Sequence, residues 1–552
     1  MIRIGGGSAF FIDSALAVPQ LIGAGVDYII LDYLAEGAMG LFGRMRAADP
    51  GGGFPTDFMD VHIGPFLDQL AAKKIKIVTN AGGVNPAGLT KMLRSKIAAS
   101  GLDLKVVCIA GDDLMKRPFA DLPTGLTSVN AYLGAFPIAA ALEQGADIVI
   151  TGRVVDSALA LGPLIHEFGW VATDFAKLAG GTVAGHLIEC GAQATGGTFT
   201  DWHEVEGWAT IGSPIAECFA DGSCIIAKPD DTGGLVSVGT VAEQLLYEVG
   251  DPQAYFVPDV TVDFAAVTLE QVGPNRVRVM GATGYPPTDT LKVCATYDDG
   301  WRGIAYQPII GPAAEDKARK QAAALFERGS RMLRGRNMAD WRRTELVLIG
   351  GGEEVVAKLI VEHDDALAAG LFVREQFAAI SAMAPGTSVS FGAQVQPCMG
   401  LVSFLIPKDE VSATLDGAAF AGVDVAGFDP AMIVRPPVPS GGNGATQCAK
   451  LGDLAFTRSG EKGETINVAV IARMPEYLPI LRAALTPKAL GNWFTDLAPT
   501  HITLYDVPGI HAINIVLEGA LPGGINASQR LDPAAKGMGQ RLLGFRIFED
   551  TN

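Results

Sequence analysis

The chain has 552 residues, of which 49% are hydrophobic and 18% charged, with a formal net charge of −18. That length and apolar content exclude a disordered chain and leave room for roughly three to five domains. The acidic balance argues against nucleic acid or an anionic membrane surface as the main partner, while a local site can still oppose the global field and take a small anion.

The first 160 residues alternate strand-like and helix-like patterns. Apolar segments 3–5, 27–31, 76–79, 105–109 and 147–150 read as strands, with helix-like stretches at 63–72, 87–100 and 131–144 among the connections. Apolar strands alternating with helices predict a parallel sheet with both faces covered. A doubly wound, Rossmann-like sheet is expected; a barrel is the weaker choice, because eight regular units cannot be counted. From 161 to 250 the chain is glycine-rich, with a helix-like centre at 183–190. From 252 onward short strands are expected at 260–264, 276–280 and 291–297, then a long amphipathic helix at 313–333, a strand at 346–349 and a helix core at 377–383. The proline- and glycine-rich stretch 435–444 reads as a linker. Beyond it, strands at 451–456, 465–472, 502–507 and 512–518 surround helices near 478–484 and 537–543, an α+β pattern of ferredoxin-like type. The expected division is an α/β domain over 1–250, a mixed second region over 251–434, a linker over 435–449 and a small α+β domain over 450–552.

No apolar run reaches the ~18 residues of a membrane span. The start, Met1-Ile2-Arg3-Ile4-Gly5, lacks the basic and apolar regions of a secretory signal. Seven scattered cysteines without a Cys-x-x-Cys pair fit reduced thiols and a cytoplasmic location. Glycine is abundant, with 68 residues against a usual share of ~7%.

In open parallel sheets, ligands bind at the carboxyl ends of the strands. The expected strand ends here carry Gly6 and Gly7, then Asp32 and Glu36, then Asn80, Gly82 and Gly83, then Asp112, then Arg153 and Asp156. The four glycines either make tight turns or aim backbone N–H groups at an anion. Asp32 and Glu36 are four apart and share a helix face if a helix begins at Asp32. They read as an acid–base pair with divergent pKa values, or as a cap and a first-turn acid. Arg153 grips a carboxylate or phosphate, or pairs locally with Asp156. His186 and Cys190 are four apart beside Glu189, but no second His/Cys pair supports a zinc site. His186 is therefore a candidate general base or a structural histidine, and no metal is expected. Lys228 is an anion ligand or a turn residue, and the glycine-rich turn Arg458–Thr465, with its two cations, binds phosphate or is a solvated hairpin. The segment 443–447 shares that ambiguity. There is no Gly-x-Ser-x-Gly elbow, no Walker sequence and no complete Gly-x-Gly-x-x-Gly.

The stretches Asp32-Tyr-Leu-Ala-Glu36, Thr79-Asn-Ala-Gly-Gly83, Ile150-Thr-Gly-Arg-Val-Val-Asp-Ser157, Gly181-Thr-Val-Ala-Gly-His-Leu-Ile-Glu-Cys-Gly191, Lys228-Pro-Asp-Asp-Thr-Gly-Gly-Leu-Val-Ser-Val-Gly239 and Leu451-Gly-Asp-Leu-Ala-Phe-Thr-Arg-Ser-Gly-Glu-Lys-Gly463 carry a resemblance. The chain resembles the acyclic terpene utilisation (AtuA-like) family, in the long form that ends in a ferredoxin-like domain. The resemblance implies a place beside acyl-CoA carboxylases, dehydrogenases and hydratases in terpene or branched-chain degradation. It supplies no catalytic residues.

The expected function is catabolic acid–base chemistry on a branched or unsaturated acyl-CoA or related carboxylate, of hydration, dehydration or lyase type. Glu36, Asp156 and His186 are the candidate proton-transfer groups. Gly6, Gly7, Asp32, Asn80, Gly82, Gly83, Arg153 and Lys228 are the candidate substrate contacts. No resident cofactor is expected; coenzyme A enters as part of the substrate. The alternatives are a non-catalytic CoA-ester-binding or scaffolding partner of a carboxylase and a thioester hydrolase. A small-molecule substrate and a homo-oligomer are expected, with no nucleic acid or membrane partner.

Overall fold

The computed structural model describes residues 1–389, 391–423, 425–437 and 449–547. Most of the expected linker, 438–448, and all of segment 443–447 lie outside the described residues. Among the described residues, no helix is long and apolar enough to cross a membrane.

The first five strands of the large sheet form where the apolar runs predict them. They are β1 (Ile2–Gly6), β2 (Tyr28–Leu31), β3 (Lys76–Thr79), β4 (Val106–Ala110) and, after an interposed strand β5 (Leu126–Ala131), β6 (Ile148–Thr151). They pair in parallel in the order β1-β2-β3-β6-β4. Side-chain alternation divides each strand between two cores. Ile29, Leu31, Ile77, Ile148 and Ile150 face helices Ala17–Ala24, Glu36–Ala48, Leu67–Lys73 and Pro86–Ala99. Tyr28, Ile30, Val78 and Val149 face helices Phe136–Glu143, Ala158–Phe168, Phe175–Ile188 and Val238–Leu245. Helix Pro86–Ala99 starts where local chemistry dictates, with Asn85 accepting from the Gly88 N–H and proline at the first position.

The sheet as a whole is mixed, which corrects the expectation of a parallel one. Strands β7 (Ile215–Cys218) and β8 (Cys224–Ala227) run antiparallel beside β1, followed by Arg276–Met280 and Thr268–Gly273. Thr414–Leu415 adds antiparallel to β4. Ile215–Cys218 and Cys224–Ala227 form one hairpin, as do Thr268–Gly273 and Arg276–Met280, and tight turns permit such reversals without a crossover helix.

A second sheet is built around Thr290–Ile310, a 21-residue strand of which the sequence marks only 291–297. It pairs with β5, Glu354–His363 and Phe391–Pro407, so strands from both sides of position 250 share both sheets. Helices Ala314–Arg334 and Ala366–Glu375 cover one face through Ala318, Ala322, Leu325 and Phe372. The helix expected at 131–144 begins only at Phe136, because Ala131 ends β5. The helix core expected at 377–383 is a 3-10 turn, Gln376–Ala378, and a single helical turn, Ala379–Ala382.

The terminal segment is a four-stranded antiparallel sheet in the order Ala455–Lys462, Thr465–Ala472, Ala512–Glu518, His501–Val507. Residues 451–454 form a helical turn before the first strand rather than part of it. Ile466, Val468 and Val470 face this domain's own helices through Leu478, Leu481 and Leu490. The alternate residues Ala469 and Ile471 join the core of the first region instead. Asn467 donates to the Leu246 carbonyl at 2.7 Å, and Asn514 donates to the carbonyls of Val249 and Gly250 at 2.7 and 2.6 Å. Arg473 clasps both oxygens of Asp201 at 2.5 and 2.7 Å. The open face of the small sheet is thus sealed against helix Val238–Leu245 and its C-terminal turn. Ala469→Asp would strand an unpaired carboxylate in that seam, with an expected loss of more than about 3 kcal/mol of stability, measured by urea unfolding.

Candidate functional site

The carboxyl ends of β2, β3, β4 and β6 meet in one charged cluster. Asp32 directly follows β2, and helix Glu36–Ala48 starts only at Glu36. Asp32 and Glu36 therefore do not share a helix face, because Ala35, at φ −107° and ψ 167°, separates them. Asp32 Oδ1 accepts from the Leu34 N–H at 3.0 Å and from Asn80 Nδ2 at 2.7 Å. Asn80 Oδ1 accepts from the Tyr33 N–H at 2.8 Å, so this amide staples the ends of β2 and β3 together. After β6, Arg153 Nη1 donates to the Leu34 carbonyl at 2.6 Å and lies 3.2 Å from Asp156 Oδ1. Its guanidinium stacks 4.1 Å from the centre of the Tyr132 ring. The Arg153 N–H and Asn130 Nδ2 both donate to Asp112 Oδ2, which ties β4, β5 and β6.

Glu36 reaches across to the second sheet. Its Oε1 accepts from the Tyr132 hydroxyl at 2.9 Å and from Lys292 Nζ at 3.2 Å. Lys292 lies on the long strand Thr290–Ile310, and neither it nor Tyr132 stands out in the sequence. Their recruitment follows from β5 pairing with that strand, which brings Tyr132 beside Lys292.

A third part comes from helix Phe175–Ile188. His186, in its last turn, is 2% exposed and has its Nδ1 3.1 Å from Glu189 Oε1. Its Nε2 is buried and, among the described residues, has no hydrogen-bond partner. The ring lies against Tyr255 and Phe264, with centroids 5.9 and 5.8 Å away. The helix ends before Cys190, so the i,i+4 pairing of His186 with Cys190 does not form. Among the described residues, no group of three or more His, Cys, Asp or Glu is placed to hold a metal ion.

The electrostatics separate chemically identical groups. Burial, reinforced by Asp156, pushes the Asp32 carboxyl well above its usual range, against Arg153 and Asn80. Glu36 moves the other way: burial opposes its charge, but Lys292, Lys462 and Arg153 hold it well below the carboxylate range. Glu36 stays ionised, which suits it to anchor Lys292 rather than to trade a proton. Burial raises Glu189, with His186 pulling it back, and burial raises Asp112 to about 6. Glu461, on the terminal domain, is pushed up to about 7 by burial and by Glu248 and Glu36.

Of the residues expected from sequence, Asp32, Glu36, Asn80, Arg153 and Asp156 come together, and His186 joins them through Glu189, whose carboxyl senses Asp156. The glycines do not serve as an N–H cradle. Gly6, Gly7, Gly82 and Gly83 already donate to the carbonyls of Pro214, Ile30, Thr151 and Asn80. What Gly6 provides is close packing, since a Cβ on it would sit 1.9 Å from the Ile188 carbonyl oxygen. Gly83, at φ +55°, supplies a left-handed turn. Lys228 stays apart, donating to the Thr232 carbonyl at 2.6 Å within its own turn. A cavity of about 790 Å³ is also elsewhere: it is lined by Leu133, Leu291, Asp259, Lys408 and Phe420. Leu291 and Lys292 are strand neighbours, so one faces this cavity and the other faces the cluster.

Raised carboxyls give folding a definite pH sign. Asp112 and Glu461, near 6 and 7 in the folded chain, hold protons that the unfolded chain releases near 4. Stability from these groups is complete at low pH and is lost as pH rises through about 6 to 7. Urea unfolding at pH 5, 6.5 and 8 should show this decline, and Glu461→Gln should flatten it.

A family model described as acyclic terpene utilisation family protein AtuA matches residues 2–416. A second, described as the AtuA ferredoxin-like domain, matches residues 449–548.

Proposed function

The chain belongs to the acyclic terpene utilisation family, and from that premise we propose that it is a catabolic enzyme performing acid–base chemistry on a branched or unsaturated acyl-CoA or related carboxylate. Hydration, dehydration or lyase-type cleavage is the reaction class. The observation that carries this reading is the His186–Glu189 pair, with a buried and unpartnered Nε2, set beside the Asp32–Arg153–Asp156 cluster.

Such a reaction needs a base, an acid and positive charge near the developing enolate. Glu189 accepts from Nδ1 and orients the imidazole, which leaves Nε2 to take a proton from substrate. Asp32 is suited to the acid. Its carboxyl favours the protonated form, and both side-chain hydrogen bonds found among the described residues go to Oδ1 rather than Oδ2. Arg153 is largely committed to the Leu34 carbonyl, Asp156 and the Tyr132 ring, so its role is to hold the cluster together. Lys292 is fixed by ionised Glu36 and supplies a cation with donors to spare.

His186→Gln is expected to lower kcat by about 10²–10⁴-fold with the melting temperature little changed. Glu36→Gln releases Lys292 and is expected to raise KM more than it lowers kcat. Both are measured by turnover of a 3-methyl-branched enoyl-CoA. Full turnover in His186→Gln would remove that histidine from the mechanism.

A further inference from the structure

The hairpin of Ala455–Lys462 and Thr465–Ala472 belongs to the terminal sheet, yet its tip reaches the charged opening of the first region. Gly460 permits the approach: a Cβ there would lie 2.7 Å from Glu248 Cγ and 2.8 Å from the Tyr247 ring. Lys462, two residues on, points to the same face of the strand and donates to Glu248 Oε2 at 3.0 Å. The other oxygen of Glu248 accepts from Lys536 at 3.0 Å. One carboxylate, held at φ 58°, therefore grips two lysines of the terminal domain.

The two lysines face different surroundings. Lys536 lies 4.4 Å over the Tyr247 ring and next to Cys190. Lys462 is held in its charged form by Glu248 first, and then by Glu36, Asp156 and Tyr255. Glu36, the carboxylate that binds Lys292, is thus shared by both lysines. Each of these ammonium groups spends one of three donors on a carboxylate. Water reaches 46% of the Lys462 side chain and 35% of Lys292. Packing brings them to one region: a Cβ on Gly524 would lie 3.2 Å from the carbonyl oxygen of Gly463, next to Lys462, and a Cβ on Gly37, next to Glu36, would lie 2.9 Å from Asn526 Oδ1 of the same helical turn, Gly524–Ala527. Two part-exposed cations from different sheets, each fixed by its own carboxylate, thus stand around the start of helix Glu36–Ala48.

We propose that Lys462 and Lys292 together form the subsite for the anionic group of the substrate, a carboxylate or a phosphate. The ferredoxin-like domain is then part of the ligand site. The proposal rests on the reading of the cluster as a site for an anionic acyl compound, and it deepens that reading by assigning the anion's contacts.

Binding to the full chain tests it, by thermal shift and equilibrium titration. The probes are 3-methylbut-2-enoyl-CoA, free coenzyme A, 3-methylbut-2-enoate and inorganic pyrophosphate. Wild type is expected to bind at least one, and Lys462→Met and Lys292→Met each to lose about tenfold or more in affinity. Lys536→Met breaks the same Glu248 grip and is expected to bind as wild type. Lys462→Gln, which keeps a donor toward Glu248, serves if the methionine variant does not fold. Equal losses in the Lys462 and Lys536 variants would reduce Lys462 to a docking contact and overturn the subsite. Unchanged affinity in Lys462→Met, or no binding of any probe by wild type, would overturn it as well. Binding of pyrophosphate or the free acid alone, lost in Lys462→Met, would keep the subsite and discard the acyl-CoA reading.

Discussion

Charges leave water only at a cost of several kcal/mol each unless they find partners, and that constraint organises the middle of this molecule. Arg153 is buried and meets the Leu34 carbonyl, Asp156 and the face of Tyr132. Glu36 meets Lys292 and Tyr132, and Glu248 meets Lys462 and Lys536. Arg153 and Asp156 come from one strand end, but Glu36 and Glu248 find their lysines on other sheets. The large sheet, the long strand of the second sheet and the hairpin of the terminal domain have to converge for the charges to be paired.

The same convergence differentiates the acids. Asp32 and Glu36 stand four residues apart at one strand end, yet their carboxyls move in opposite directions. Asp32 faces another carboxylate, Asp156, whereas Glu36 faces two ammonium groups. Partner identity decides the direction, since burial pushes both the same way. A group that keeps its proton and a group that keeps its charge then stand side by side.

The terminal domain is positioned rigidly enough to take part. Its sheet is covered by its own helices on one face and by the first region on the other, with Asn467, Asn514 and Arg473 tying the seam. Buried side-chain amides that bond backbone carbonyls specify one docking geometry, because any sliding would leave them unpaired. That geometry fixes where the hairpin tip, and hence Lys462, must lie.

Much of this was legible in the sequence. The apolar runs located β1, β2, β3, β4 and β6, because strands covered on both faces must be apolar throughout, and Asp32, Asn80, Asp112, Arg153 and Asp156 stood out as the polar residues that end them. The four-stranded terminal sheet was legible in the same way. Of the antiparallel additions beside β1, only Arg276–Met280 was; β7, β8 and Thr268–Gly273 were not, since short strands joined by tight turns carry no crossover helix to announce them. Nor were the true roles of Gly6 and Lys228, which depend on the Ile188 carbonyl oxygen and on a local turn. The sequence by itself determined which side chains stand at the strand ends. Only the tertiary structure decided which of them carry charge and what they face, because the partners that set their acidity lie 256 positions away for Glu36 and Lys292 and 214 for Glu248 and Lys462. No local pattern encodes a contact at that range.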